Sequence, residues 1–139
     1  MDILKSKMGD RIRKYVFPPP VFVTMGGKFI GFDLDQGFLS AKFPVLESYL
    51  NPYGAMQGGM VGAAVDNTLG PLSVLIAPPN VTRKLEVIYS HPITMDMEYI
   101  VIKARLLERM DPRLYFAADV YNYAGLRLAR SKAVHIILD

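Results

Sequence analysis

The sequence contains no cysteine. That absence excludes disulfides, thiolate-bound zinc and cysteine nucleophiles together. Histidine is scarce too: His91 and His135 are the only two, too few for a histidine-based metal site without carboxylate help. No metal and no cofactor is therefore expected. No uninterrupted apolar run approaches the roughly 20 residues that a membrane span needs. The N-terminal stretch MDILKSKMGDRIRKYVF mixes charges of both signs with apolar residues and lacks a signal peptide's apolar centre and cleavage site. The expectation is a cytoplasmic protein with no membrane partner. Neither sign of charge dominates: 16 basic against 13 acidic residues leave +3, with the basic residues scattered. This argues against a nucleic-acid partner and is compatible with a phosphorylated small ligand. There is no G-x-S-x-G nucleophile elbow, no phosphate loop and no dinucleotide fingerprint.

What is present fits one domain. The chain has 139 residues, of which 51% are hydrophobic and 21% charged, an ordinary globular balance. Ile3, Met8, Ile12 and Val16 recur near helical spacing before the stop at Phe17-Pro18-Pro19-Pro20, which predicts a helix over residues 1–17. Two alternating runs follow, Phe29 to Leu34 and Phe38 to Phe43, split by Asp35-Gln36-Gly37. Ile30, Phe32 and Leu34 share one face, as do Leu39, Ala41 and Phe43, so the pattern is a β-hairpin. Asn51, Pro52 and Gly54 mark a loop. Residues 55–77 then form the long apolar segment, AMQGGMVGAAVDNTLGPLSVLIA, predicted as a central helix starting near Met56 or Gln57 and disturbed at Pro71. Four strands complete the chain, at about Val81–Ser90, Met95–Arg109, Leu114–Asn122 and Leu126–Leu138. One helix against a largely antiparallel sheet is an α+β architecture.

The chemistry concentrates between Asn51 and Asp66. Asp66 sits in the least polar helix, with Val65 before it and Leu69 and Leu72 beyond. An ionised aspartate in such a place needs a partner, because desolvating the charge is expensive. Asn67, Thr68 or an N–H elsewhere would serve, as would exposure at the helix edge; the alternative is a carboxylate tuned for catalysis. Gly58 and Gly59 open the same helix, although glycine costs roughly 1 kcal/mol against alanine there. Close packing on a sheet explains them, and so does a ligand oxygen approaching the free N–H groups at the helix N-terminus.

The run N-x-x-G-x-x-Q-G-G from Asn51 to Gly59, the A-x-x-D from Ala63 to Asp66 and the Gly70-Pro71 pair resemble the hotdog-fold acyl-CoA thioesterases of the phenylacetate-pathway type. The order of elements resembles that family too. The resemblance implies a hotdog fold, a long central helix wrapped by an antiparallel sheet, with acyl-CoA as substrate. It implies that Asp66 activates water or attacks the thioester, that the Gly58 N–H polarises its carbonyl, that Asn51 is a polar positioner and that Thr82 holds the water. The family's usual histidine is Gln57 here, which can donate a hydrogen bond but cannot transfer a proton at neutral pH. Gly59 belongs to the same helix start. Tyr53 either lines the acyl pocket or packs on the core. Arg83 and Lys84, and likewise Arg130 and Lys132, either reach the CoA phosphates or lie on a solvated strand face.

Spacing adds a constraint. Gly58 and Asp66 are 66 − 58 = 8 residues apart, roughly 12 Å along a helix, so one scissile carbonyl cannot touch both from one chain. A homodimer, or a homotetramer built as a dimer of dimers, is the expected assembly. Two rival functions remain: a non-catalytic acyl-CoA-binding module, motivated by Gln57, and a hotdog dehydratase or hydratase, disfavoured because the helix region carries no histidine.

Overall fold

The structure is a computed structural model that describes residues 17–139. The helix expected over residues 1–17 lies outside them, Phe17 apart. The first element is a single helical turn, α1 (Pro20–Thr24), entered with Pro20 at its first position, where the missing N–H costs nothing. It docks Phe22 between Phe29, stacked at 4.3 Å between ring centroids, and Phe43, which meets it edge-on at 5.4 Å.

The hairpin is present as β1 (Lys28–Asp33) and β2 (Phe38–Pro44). Its turn needs Gly37, which has φ +65° and would push a side chain to 3.0 Å from Leu106 Cβ. The predicted face of β2 is correct: Leu39, Ala41 and Phe43 are fully buried. The predicted face of β1 is correct at Phe32 and Leu34, which pack against the core, and wrong at Ile30. A bulge between Phe29 and Gly31 leaves Ile30 without a partner and exposed, so Phe29 and Phe32, opposite Ala41 and Leu39, occupy the core face. An inserted residue shifts the period-2 phase, and alternation alone cannot reveal it.

The central helix, α2, runs unbroken from Gly58 to Ile76 and carries Pro71 inside it. It starts after Gln57 and ends one residue before the predicted limit. Val61, Ala64, Val65, Thr68, Leu69 and Leu72 are buried at helical spacing. By length and composition this helix could cross a bilayer; here its apolar stripe packs on β2, β3, β4 and β5 instead. The remaining strands are β3 (Asn80–Tyr89), β4 (Tyr99–Met110), β5 (Arg113–Tyr121) and β6 (Arg127–Ile137). All six strands form one antiparallel sheet in the order β1-β2-β4-β5-β6-β3. Ile100, Ile102 and Ala104 on β4, and Leu114, Phe116, Ala118 and Val120 on β5, face the helix with no exposed surface. Among the described residues β3 lies at a sheet edge, paired with β6, and it borders the polar side of α2.

Candidate active site

Asp66 lies on the side of α2 opposite its buried stripe, half-buried. Its partner comes from neither helical neighbour. Asn67 donates to the Ala63 carbonyl at 2.8 Å, and Thr68 to the Ala64 carbonyl at 3.0 Å. The Asp66 carboxylate instead meets Thr82, the third residue of β3, whose hydroxyl oxygen is 3.2 Å from Oδ1. Thr82 is held to the helix side by the register of β3 on β6, where it sits opposite His135. The pair borders a pocket of about 400 Å³ that also receives Phe17, Pro71, Val74 and Val81. A carboxylate and a hydroxyl beside an apolar-walled hollow can position and deprotonate a water.

His135 extends this cluster. It is 1% exposed, its Nε2 is 3.3 Å from Thr82 Oγ1, and its Nδ1 is 2.8 Å from Asn80 Oδ1. Burial pushes the imidazole below the ordinary histidine value, and the negative charge of Asp66 offsets part of that shift. Reading the sequence did not single out His135, because its only signal is inward position on the last strand, which every core residue of β6 shares.

The helix start forms a second hollow, of about 340 Å³, between Asn51, Met56, Gly58, Tyr89, His91 and Ile93. Gly58 is the first residue of α2, so its N–H has no carbonyl four residues earlier in the helix to bond. Tyr89 donates its hydroxyl to the Gly58 carbonyl at 2.6 Å, and a Cβ on Gly58 would stand 3.3 Å from the Tyr89 ring. Tyr89, which the sequence pattern did not mark, thus fixes the position of this backbone. Burial raises its phenol above the ordinary value. Gln57 precedes the helix with an exposed side chain that makes no capping bond, so its amide is free to meet a ligand. Asn51 is committed to the loop: its Oδ1 accepts from the N–H groups of Tyr53 at 2.9 Å and Ala55 at 3.1 Å.

The peripheral candidates scatter. Tyr53 is 93% exposed and lines neither hollow. Gly59 is exposed, with open space where a side chain would begin. Arg83 occupies the bulge of β3 beside Thr82, exposed. Lys84 pairs with Glu86 at 3.1 Å, and Arg130 and Lys132 project with Glu86 into a hollow on the outer sheet face, away from Asp66. One chain therefore keeps the helix start and Asp66 in separate hollows, roughly 12 Å apart along an unbroken helix.

No family model matches the sequence, and no curated protein matches it. Solved structures do match. A phenylacetic acid degradation-related protein from Ralstonia eutropha superposes with a TM-score of 0.81 at 25% identity, over 92% of this chain and 98% of that one. The fold is that of the hotdog thioesterases. A second hotdog neighbour, smu.793 from Streptococcus mutans, was solved bound to acetyl CoA; it has a TM-score of 0.75 and 18% identity, over 89% of this chain and 92% of that one. A third, a hypothetical thioesterase from Streptococcus pneumoniae, was solved as two single alanine variants, one of an aspartate and one of a threonine sixteen residues later. Each matches with a TM-score of 0.73 at 16% identity, over 80% of this chain and 88% or 89% of that one. Asp66 and Thr82 are also sixteen residues apart.

Proposed function

We propose that this protein hydrolyses acyl-CoA thioesters to a free acid and CoA, in a homodimer or a dimer of dimers. Asp66 of one subunit takes a proton from a water steadied by Thr82, and the water oxygen attacks the thioester carbon. The carbonyl oxygen gains charge against the Gly58 N–H and the Gln57 amide of the other subunit. The C–S bond then breaks, and the thiolate recovers the proton from Asp66. Both hollows serve one substrate only when two chains combine them, which is what makes the assembly part of the mechanism. Arg83, exposed and one residue from Thr82, is the cation best suited to meet the CoA phosphates.

The observation that carries this reading is the Asp66–Thr82 hydrogen bond at 3.2 Å beside an apolar-walled pocket. An aspartate and a threonine at the same spacing were the targets of substitution in the pneumococcal hypothetical thioesterase. The acetyl-CoA-bound streptococcal neighbour supports the substrate class. A dehydratase or hydratase needs a histidine that reaches substrate; His135 is 1% exposed, with both ring nitrogens within reach of Thr82 and Asn80. That leaves exposed His91, in the helix-start hollow, as the histidine that reading would have to use. A non-hydrolytic acyl-CoA binder is favoured by one feature, Gln57 in place of histidine, since glutamine transfers no proton.

Asp66→Asn separates these readings. It keeps an oxygen that accepts from Thr82 but removes the basicity, so turnover should fall at least about 10²-fold with acyl-CoA affinity little changed. Thiol release and acyl-CoA binding, measured on the same variant across chain lengths, distinguish the hydrolase from the binder. Near-normal turnover in Asp66→Asn sinks the mechanism. Binding without turnover in the wild-type protein supports the binding module instead.

A further inference from the structure

We infer that Tyr89 is a positioning residue for the reaction. By donating its hydroxyl to the Gly58 carbonyl it fixes and polarises the Gly58–Gly59 peptide, so that the Gly59 N–H joins the Gly58 N–H as a further donor to the thioester oxygen. This deepens the thioesterase reading and rests on it. The backbone donors at the start of α2 divide into two sets. The Gln57 N–H bonds the Tyr49 carbonyl at 2.8 Å, and the Met60 and Val61 N–H groups both bond the Gln57 carbonyl, at 2.9 Å and 3.1 Å. Among the described residues, nothing accepts from the Gly58 or the Gly59 N–H. Two consecutive free donors in a first helical turn point the same way along the axis, so one oxygen can take both. At Gly59 the space where a side chain would begin is open.

Tyr89 acts on only one of the two donors. A peptide unit joins the carbonyl of one residue to the N–H of the next, and its resonance couples the two ends. The Gly58 oxygen therefore shares its peptide with the Gly59 N–H and not with the Gly58 N–H. A hydrogen bond received at that oxygen draws electron density from the nitrogen and strengthens the N–H as a donor, by roughly 10–30%. The Tyr89 bond is short, at 2.6 Å, and it adds to the helix's own bond to the same oxygen, since a carbonyl has two lone pairs.

The sheet supplies the brace. Tyr89 is the last residue of β3, held opposite Ala129 on β6, and its ring reaches across to the helix start. A Cβ on Gly58 would stand 3.3 Å from both the phenol oxygen and the carbon that bears it, so glycine gives the hydroxyl its approach. Burial raises the phenol above its ordinary value, which keeps it protonated and donating through the neutral range. The gain falls on the transition state. The thioester oxygen carries little charge in the bound substrate and much more as water adds, so a stronger donor raises kcat and leaves KM alone.

Amide spectra and steady-state kinetics test this. In ¹H–¹⁵N spectra of the free protein, Tyr89→Phe should move the Gly59 amide well beyond the Gly58 amide, because only the Gly58–Gly59 peptide loses a bond. Thiol release should show kcat lowered on the order of tenfold in Tyr89→Phe, the worth of one hydrogen bond, with KM nearly unchanged. Gly59→Pro deletes the N–H in a first turn that tolerates proline, and should cost on the order of 10²-fold in kcat. In that background Tyr89→Phe should change kcat no further, since the donor through which Tyr89 acts is gone. A Tyr89→Phe protein with wild-type kcat, the two glycine amides moving together, or losses that multiply in the double variant overturns the inference; a mere brace for the helix start gives the last two. Should Tyr89→Phe fail to fold, Tyr89→3-fluorotyrosine keeps the shape and donates more strongly: it should raise kcat, and an unchanged or lower kcat overturns the inference. A wild-type protein inert towards acyl-CoA whose Gly59 amide still responds selectively to Tyr89→Phe overturns the thioesterase reading and leaves the polarised peptide standing.

Discussion

A site divided between two chains makes a quantitative prediction. Along α2, Gly58 and Asp66 are eight residues apart with no break between them, which is roughly 12 Å at about 1.5 Å per residue. A thioester carbonyl spans little more than about 1 Å and its contacts reach about 3 Å, so one group cannot touch both within a chain. Two variants disable opposite halves. Asp66→Asn removes the base. Gly58→Val places its β-carbon 3.3 Å from the Tyr89 ring and its methyl groups beside the N–H that the carbonyl must approach. Each homodimer should retain about 1% of wild-type turnover or less, on the usual scale for a lost base or a lost oxyanion donor. A heterodimer of the two has one site carrying both lesions and one carrying neither. In a two-fold dimer with two sites, that gives about half of wild-type turnover per dimer. Co-expression with different affinity tags and sequential purification isolates the heterodimer, and thiol release measures it. Recovery near half and recovery near zero differ on the order of 50-fold, far beyond assay scatter. A heterodimer no more active than either parent, or a fully active monomer by light scattering, refutes the divided site.

Gln57→Ala should lose on the order of 10²-fold in turnover as one donor to the carbonyl oxygen disappears. It should leave the unfolding midpoint unchanged, because the exposed side chain makes no capping bond; Gln57→His should keep or improve turnover. Tyr89→Phe removes the 2.6 Å bond to the Gly58 carbonyl and should cost about 1 kcal/mol in urea unfolding, with an unchanged midpoint counting against any role in fixing the helix start. Gly62→Ala brings its new carbon only to 4.0 Å from Val87, so within one chain it should stabilise by up to about 1 kcal/mol. A destabilised Gly62→Ala would mean that a second backbone approaches that face of α2.

The elements were legible in the sequence because their physics is local. Alternation marked Leu39, Ala41 and Phe43, and small residues between two turn-forming segments marked α2 to within a few residues at its start and one at its end. The bulge at Ile30 escaped because a phase slip of one residue leaves no compositional trace. The site was legible only where it is contiguous. The run from Asn51 to Asp66 could be read in one piece, yet Asn51 had a loop to hold, which its Asx geometry shows and its identity does not. Thr82 was reached through family likeness, since nothing in the spacing of Asp66 and Thr82 declares a contact. His135, 53 residues beyond Thr82, depends on which strand lies beside β3. Strand order is a property of the whole sheet, and the sequence supplies no local pattern for it.

The dependence of His135 on Asp66 gives a last prediction that needs no substrate. Burial depresses the imidazole pKa and the Asp66 charge opposes that depression. Asp66→Asn removes the opposing charge while keeping an oxygen for Thr82, so the His135 pKa should fall below its wild-type value. In the unfolded chain the same histidine titrates near about 6.5. Between that value and the folded pKa, the unfolded state binds a proton that the folded state refuses. Stability from this group is thus fully present above about pH 6.5 and is lost as pH falls towards the folded pKa. In Asp66→Asn the folded pKa lies lower, so the window of loss extends further into acid. A C–H titration of His135 by NMR, in the wild-type protein and in Asp66→Asn, measures the shift. Urea unfolding at about pH 7.5 and about pH 5, on either side of the unfolded value, measures its consequence. An Asp66→Asn protein whose His135 pKa rises, or does not move, would show that the carboxylate's field does not reach the ring. Thr82 would then be a spacer between them, and the hydrogen-bond chain from Asp66 to Asn80 would carry no electrostatic coupling.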